Sequence, residues 1–388
     1  VLFRSAAMAA FQDACAMALS LCRQDPGSAL WQRDLAISHH KLGDRWIAQG
    51  DSSKALAAYQ SGLAISTRLA QHDPTNRQRQ HDLSVSHDRV GLGWKVRGDG
   101  GMALASFQAS LKIREHLCQV DPQNTGWQRD LAVSHEQVGD GLITCDDGPG
   151  ALAAYQASLR IRAELVRRDP SNSQWQRDLS VSHDRIGNCL MAQGQSVSAL
   201  AAYQTGLKIR EELALRDPKN VQWQRDCFVS QIKIGDAMMT LGNSADALSA
   251  YQKSLSTAEA LWRHDPTNLQ ALRDCYVSNM KTGDGLLAQD DGAAALLAYK
   301  ESLRIADQLA SHDPSRVEWQ LDRVVCLSRL GSLESSVPSV GRRDYCSRGQ
   351  QILLSLQQPG KLEQIKELQA WQDWFEQAIG ELDGGSPS

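Results

Sequence analysis

No stretch of the 388-residue sequence stays uninterrupted and apolar for the roughly 18 residues that a membrane-crossing helix needs, so no membrane span is expected. Positive charge is not in excess either: 41 Lys and Arg stand against 45 Asp and Glu, a net charge of −4. A nucleic-acid surface would need clustered surplus base, so that class of partner is set aside. The nine cysteines form no CxxC pair, the spacing a structural metal or a redox dithiol would use. There is no GxxxxGK[ST] phosphate loop and no GxGxxG following a strand pattern. Proline is sparse, at 11 residues, and most of it recurs in one phrase.

What the sequence has in abundance is itself, repeated. The aspartate of the phrase Trp-Gln-Arg-Asp, or of a degraded copy, stands at Asp34, Asp82, Asp130, Asp178, Asp226, Asp274 and Asp322, each 48 residues after the last. Gly43, Gly91, Gly139, Gly187, Gly235, Gly283 and Gly331 keep the same step, as do Asp-Pro pairs ending at Pro26, Pro74, Pro122, Pro170, Pro218, Pro266 and Pro314. An aromatic column does so too: Phe11, Tyr59, Phe107, Tyr155, Tyr203, Tyr251 and Tyr299. A constant period of this size is the mark of a stacked array, in which one unit cannot bury its apolar face alone. Ala7–Gln12 matches Ala55–Gln60 one step later, so the chain opens inside a repeat, as a fragment of a longer protein would.

One repeat read closely predicts two helices and no strand. Asn172 is placed to cap a helix that carries Trp175, Leu179, Ser182, Ile186 and Leu190 at helical spacing up to Gln193-Gly194. A second helix carries Leu200, Tyr203, Leu207 and Leu213 on one face and ends before the next Asp-Pro, where proline cannot continue a helix. A mid-helix glycine costs about 1 kcal/mol relative to alanine, so seven of them imply close approach of a partner helix, with the Tyr column as the packing group. Cys227 and Cys275 replace Leu35, Leu83, Leu131 and Leu179, which reads the cysteines as reduced apolar fillers and places the chain in a reducing cytoplasm.

The phrase Leu42-Gly43, Gly50, Ala55, Tyr59, Gly62, and again Ile186-Gly187, Gly194, Ala199, Tyr203, Gly206, resembles the tetratricopeptide repeat. The family's usual repeat has about 34 residues, so both helices here look lengthened at their outer ends, where Trp31, Trp127, Trp175, Trp223 and Trp319 fall. The Trp-Gln-Arg-Asp-Leu phrase also looks like repeats of bacterial scaffold and signalling proteins. The resemblance implies an all-α, right-handed helical-repeat solenoid with a C-terminal capping helix. Its expected divisions are residues 1–5 as a start foreign to the array, 6–335 as the repeats, and 336–388 as a degenerate last helix, a cap and a frayed tail. Ser335–Ser339 reads as a loop, and the cap as Lys361–Leu382 with Trp371, Trp374 and Phe375.

Chemistry-bearing residues recur rather than cluster. His39, His87, His135 and His183 form one column, followed by Gln231 and Asn279. Neighbouring helices lie about 8–10 Å apart, whereas zinc takes ligands at about 2 Å, so hydrogen bonding is favoured over metal binding. Cys145–Gly148 lacks the alternate carboxylates of a calcium loop. No unique set of nucleophile, base and orienting residue appears, so neither catalysis nor a cofactor is expected.

The resemblance implies that first helices line a concave face that holds a protein or peptide. The residues expected there include Val85, Val133 and Val181, then Asp88, Glu136 and Asp184, then Asp44, Asp140, Asp236 and Asp284. Such a surface suits a basic or amphipathic segment. The competing reading pairs these acids with Lys41, Arg89, Arg185, Lys233, Lys281 and Arg329 to fix repeat register. Arg33, Arg129, Arg177, Arg225 and Arg273 are read as structural, lying beside the Trp column. Two functions remain open: a partner-binding scaffold, or the sensor arm of a larger signalling protein with an NTPase or protease-like effector.

Overall fold

The computed structural model describes residues 2–333, 338–356 and 367–384. Among these are sixteen α-helices and no strand. They form two compact units, Val1–Gln195 and Ser196–Ser388. The first unit holds α1 (Leu2–Gln24), α2 (Ala29–Ala48), α3 (Ser52–His72), α4 (Arg77–Arg97), α5 (Gly100–Val120), α6 (Thr125–Thr144), α7 (Gly148–Arg168) and α8 (Ser173–Ala192). The second holds α9 (Ser196–Arg216), α10 (Val221–Thr240), α11 (Ser244–His264), α12 (Leu269–Leu287), α13 (Gly292–His312), α14 (Val317–Gly331), α15 (Ser339–Leu356) and α16 (Glu367–Gly384). Within each unit, chain neighbours pack on one another, as a nearest-neighbour array requires.

The punctuation follows the residues. Asn76, Asn124, Asn172 and Asn220 cap the first helices, each side chain accepting from the backbone N–H three residues on. Second helices begin at Asp51, Asp99, Asp147 and Asp291 in the same way. Arg316 gives α14 no side-chain cap, and that helix is the shortest, at 15 residues. Gly194, with φ +72°, stops α8 in the left-handed conformation that glycine tolerates best.

Five glycines of the column pack under an aromatic ring as expected, whereas Gly331 meets Cys346 Sγ. A Cβ on Gly91 would come within 2.5 Å of the Phe107 ring, and one on Gly139 within 2.6 Å of Tyr155. Gly43, Gly235 and Gly283 meet Tyr59, Tyr251 and Tyr299 at similarly close range. Each aromatic ring thus lies directly on a first-helix backbone, and the burial offsets the glycine's helix penalty.

α1 keeps the second-helix register and packs on α2. Residues 2–5, read from sequence as foreign to the array, carry helical backbone of α1. At the other end α16 buries Phe375 completely, with Trp374 edge-on at 4.9 Å, against a core that includes Cys346 and Leu353. Residues 334–337, within the loop expectation, and 361–366 and 385–388, within the cap and tail expectations, lie outside the described residues. Among the described residues no helix is long and apolar enough to cross a membrane.

Candidate functional site

The acids expected to face a ligand are held by the array itself, in three ladders. In the first, Tyr59 Oη donates to Asp44 Oδ1 at 2.7 Å, and Arg89 of the next repeat reaches the same oxygen at 3.0 Å. The pattern returns with Tyr155, Asp140 and Arg185, with Tyr251, Asp236 and Lys281, and with Tyr299, Asp284 and Arg329. Each carboxylate therefore joins its own second helix to the following first helix. Where the acid is Leu92, the aromatic is Phe107 and the base is Gln137, whereas at Asn188 the aromatic and the base stay Tyr203 and Lys233.

The second ladder is buried and was not foreseen. Arg114 of α5 pairs with Asp88 at 2.6 Å and donates to Ser134 Oγ at 2.7 Å and to Asp130 O at 3.1 Å. Arg162 of α7 does the same with Glu136 at 2.8 Å, Ser182 Oγ and Asp178 O. Burial pushes the Asp88 carboxyl upward while the Arg114 guanidinium opposes that rise. This corrects the expectation for Asp88 and Glu136, whose side chains are withdrawn from solvent under a guanidinium; Asp184 is likewise buried. A signal for this ladder existed: 26 residues after Asp88, Glu136 and Asp184 stand Arg114, Arg162 and Arg210, whereas Ile232 and Met280 are followed by Ala258 and Ala306.

The third ladder joins first helices directly. Arg33 pairs with Asp82 at 2.5 Å, Arg129 with Asp178 at 2.6 Å, Arg225 with Asp274 at 2.7 Å and Arg273 with Asp322 at 2.9 Å. This arginine column is structural as expected, but through the next repeat's aspartate rather than through the Trp column. At one step His81 replaces arginine and contacts Asp130 at 2.8 Å; its hydrogen bonds to Asp130 and Asp82 raise its pKa to about 9.

His39, His87, His135 and His183 are half-buried, and burial lowers the pKa of each. Among the described residues no three His, Cys, Asp or Glu gather as metal ligands would. All nine cysteines are free, and burial pushes the Cys227 thiol up to about 11 and the Cys275 thiol up to about 12, away from reactive thiolate.

One column that stays partly open on the first helices is apolar. Ile37, Val85, Val133 and Val181 in the first unit, and Val229, Val277 and Val325 in the second, are each half-buried. In the second unit these valines pack against the core from its edge. A further opening, about 390 Å³, lies between α2 and α4.

No family model and no curated protein matches the sequence. Among solved structures, BtubC (BKLC) from P. vanneervenii matches with a TM-score of 0.53 at 15% identity, over 66% of this chain and 92% of that one. A Signal Transduction ATPase with Numerous Domains protein from Pyrococcus horikoshii, which carries a tetratricopeptide repeat sensor, matches with a TM-score of 0.50 at 11% identity, over 92% of this chain and 50% of that one. The helix pairs, the glycine-on-aromatic packing and these likenesses agree: by its fold, the chain is a tetratricopeptide-like repeat protein.

Proposed function

We propose that the chain is a protein-interaction scaffold that captures an amphipathic partner segment along the exposed face of its first helices. The observation that carries this reading is the half-buried Ile37 and valine column, kept at every described first helix while the neighbouring polar side chains pair within the array. An apolar row that is neither core nor fully solvated is the surface helix-in-groove or extended-peptide docking uses. Val85, Val133 and Val181 are the proposed contacts, with Asp44, 40% exposed at the side chain, as a flanking acid that a basic residue would meet. Peptides selected from a displayed random library against the whole chain test this. Val85→Gln, Val133→Gln and Val181→Gln together should weaken them at least tenfold with helicity intact; unchanged binding, with protection mapping to second helices, would remove the groove from consideration.

A second reading rests on the match to the Pyrococcus horikoshii protein, whose repeats form a sensor. In it the array is the regulatory arm of a longer polypeptide with an NTPase or protease-like effector. A coding sequence without such a domain would end that reading.

A further inference from the structure

The chain closes its inter-repeat interfaces with two different chemistries, and the interface between α2 and α4 has neither. In the later interfaces of the first unit the plug is an arginine from the second helix, Arg114 or Arg162, held by an acid and a backbone carbonyl. In the second unit Arg210 keeps that position, but the next two copies are Ala258 and Ala306, both fully buried, and an aromatic ring from the first helix fills the space: Phe228 or Tyr276, 4% and 5% exposed. Tyr276 also donates its hydroxyl to Asp322 O at 3.1 Å. That carbonyl is the 48-step equivalent of Asp130 O, which accepts from Arg114.

At the interface of α2, α3 and α4 the arginine position is Ser66, the acid position is His40, and the aromatic position is Ala36. The position that holds Trp127 or Trp319 in other repeats is Arg79. The result is the 390 Å³ cavity, with chiefly apolar walls that include Ala36, Ile37, Leu69 and Val85, and Leu30, 59% exposed, beside it. Its size falls in the range of small-molecule and side-chain pockets. A guanidinium from outside would find no carboxylate where Asp88 or Glu136 stands elsewhere; the one lining carboxylate, Asp82, is already held by Arg33, and Arg33 and Arg79 would repel it. An aromatic ring needs no acid; it needs apolar walls, and arginines at the mouth can stack on it.

We infer that this cavity receives a tyrosine side chain of the partner, supplied in trans where the second unit uses Tyr276 in cis. The ring lies on Ala36, Ile37, Leu69 and Val85, and the phenol donates to Asp82 O, the counterpart of Asp322 O. That carbonyl already accepts the helical Ser86 N–H, and Ser86 Oγ lies 2.9 Å from it but also 2.8 Å from Ser66 Oγ; with its single proton given to Ser66, the carbonyl's second lone pair is left for the phenol. The inference rests on the scaffold reading and names one anchor residue of the partner.

The test titrates the whole chain with N-acetyl-tyrosinamide, N-acetyl-phenylalaninamide and methylguanidinium, followed by methyl resonances of Ile37 and Leu69. Saturable shifts are expected with the tyrosine probe, about fivefold weaker binding with the phenylalanine probe for loss of one hydrogen bond, and no saturation with methylguanidinium. Two plugged variants are controls: A36Y/S66A installs the second unit's solution, and H40D/S66R installs the Asp88–Arg114 pair. Either, if helical by circular dichroism, should abolish the shifts. No saturation in the unmodified chain, or shifts that persist in a folded plugged variant, overturns the inference. The library peptides separate the two ideas: peptides that bind equally to plugged variants sink the tyrosine anchor and leave the scaffold, whereas a saturable probe with no selectable peptide sinks the scaffold and leaves the pocket.

Discussion

Arg114 and Asp88 meet at 2.6 Å with side chains only 5% and 11% exposed, so one interior charge stabilises another across a helix pair. Removing one member of a buried pair strands its partner and costs roughly 3–5 kcal/mol, whereas a half-exposed pair contributes about 0–1. Arg114→Ala should therefore strongly destabilise α4 to α6, while Arg89→Ala, which frees the half-exposed Asp44, should lose no more than about 1 kcal/mol. S84F/D88I/R114A copies the Phe228, Ile232 and Ala258 combination and should recover most of the loss. Amide hydrogen exchange in α5 reads all three; equal losses for the two single arginine variants would contradict the assignment.

The Tyr251, Asp236 and Lys281 set gives a second prediction. A hydrogen bond to a charged acceptor contributes about 1.5–3 kcal/mol, so Tyr251→Phe should cost about that much. The triple change Y251F/D236L/K281Q reproduces Phe107, Leu92 and Gln137, which the first unit already accommodates. It should cost less than the three single losses added together. Strict additivity in denaturant melts would show that the positions are not coupled.

Glycine substitutions should split by sign. A Cβ on Gly139 would lie 2.6 Å from Tyr155, so Gly139→Ala is expected to destabilise by up to about 2 kcal/mol, overpacking outweighing the helix-propensity gain. Gly380 in α16 has open space around it, so Gly380→Ala should instead stabilise its helix by about 1 kcal/mol. Hydrogen exchange of each helix measures both, and a stabilising Gly139→Ala would refute the packing account.

Stability of the first unit should fall on both sides of neutral pH, for opposite reasons. Burial lowers the pKa of His39, His87, His135 and His183, and that of His40 to about 4. Their contribution is complete above the unfolded value near 6.5 and is lost as pH falls, for His40 down to about 4, because the unfolded chain takes up protons first. His81, raised to about 9 by Asp130, contributes fully below about 6.5 and loses that contribution as pH rises through 9. Denaturation followed by hydrogen exchange in the first unit at pH 4.5, 6.5 and 9.5 checks this. His81→Gln should flatten the alkaline limb and leave the acid limb; an unchanged alkaline limb would count against the pair.

The 48-residue step was enough to establish the helix pairs, their caps and the packing of Tyr59 and its equivalents on glycine. Those depend on local periodicity, on proline and glycine stereochemistry, and on a column repeated in every unit. It also placed Asp44 and Arg89 in adjacent columns, so their pairing was one of two readings open from the start. Which side chains turn inward was decided only by the tertiary structure. Asp88 and Glu136 look like surface acids along one helix, and they become interior only because Arg114 and Arg162 arrive from another helix with the compensating charge. The cavity at Ser66 is likewise visible only in three dimensions, since a missing plug is defined by what three separate helices fail to place in the same volume.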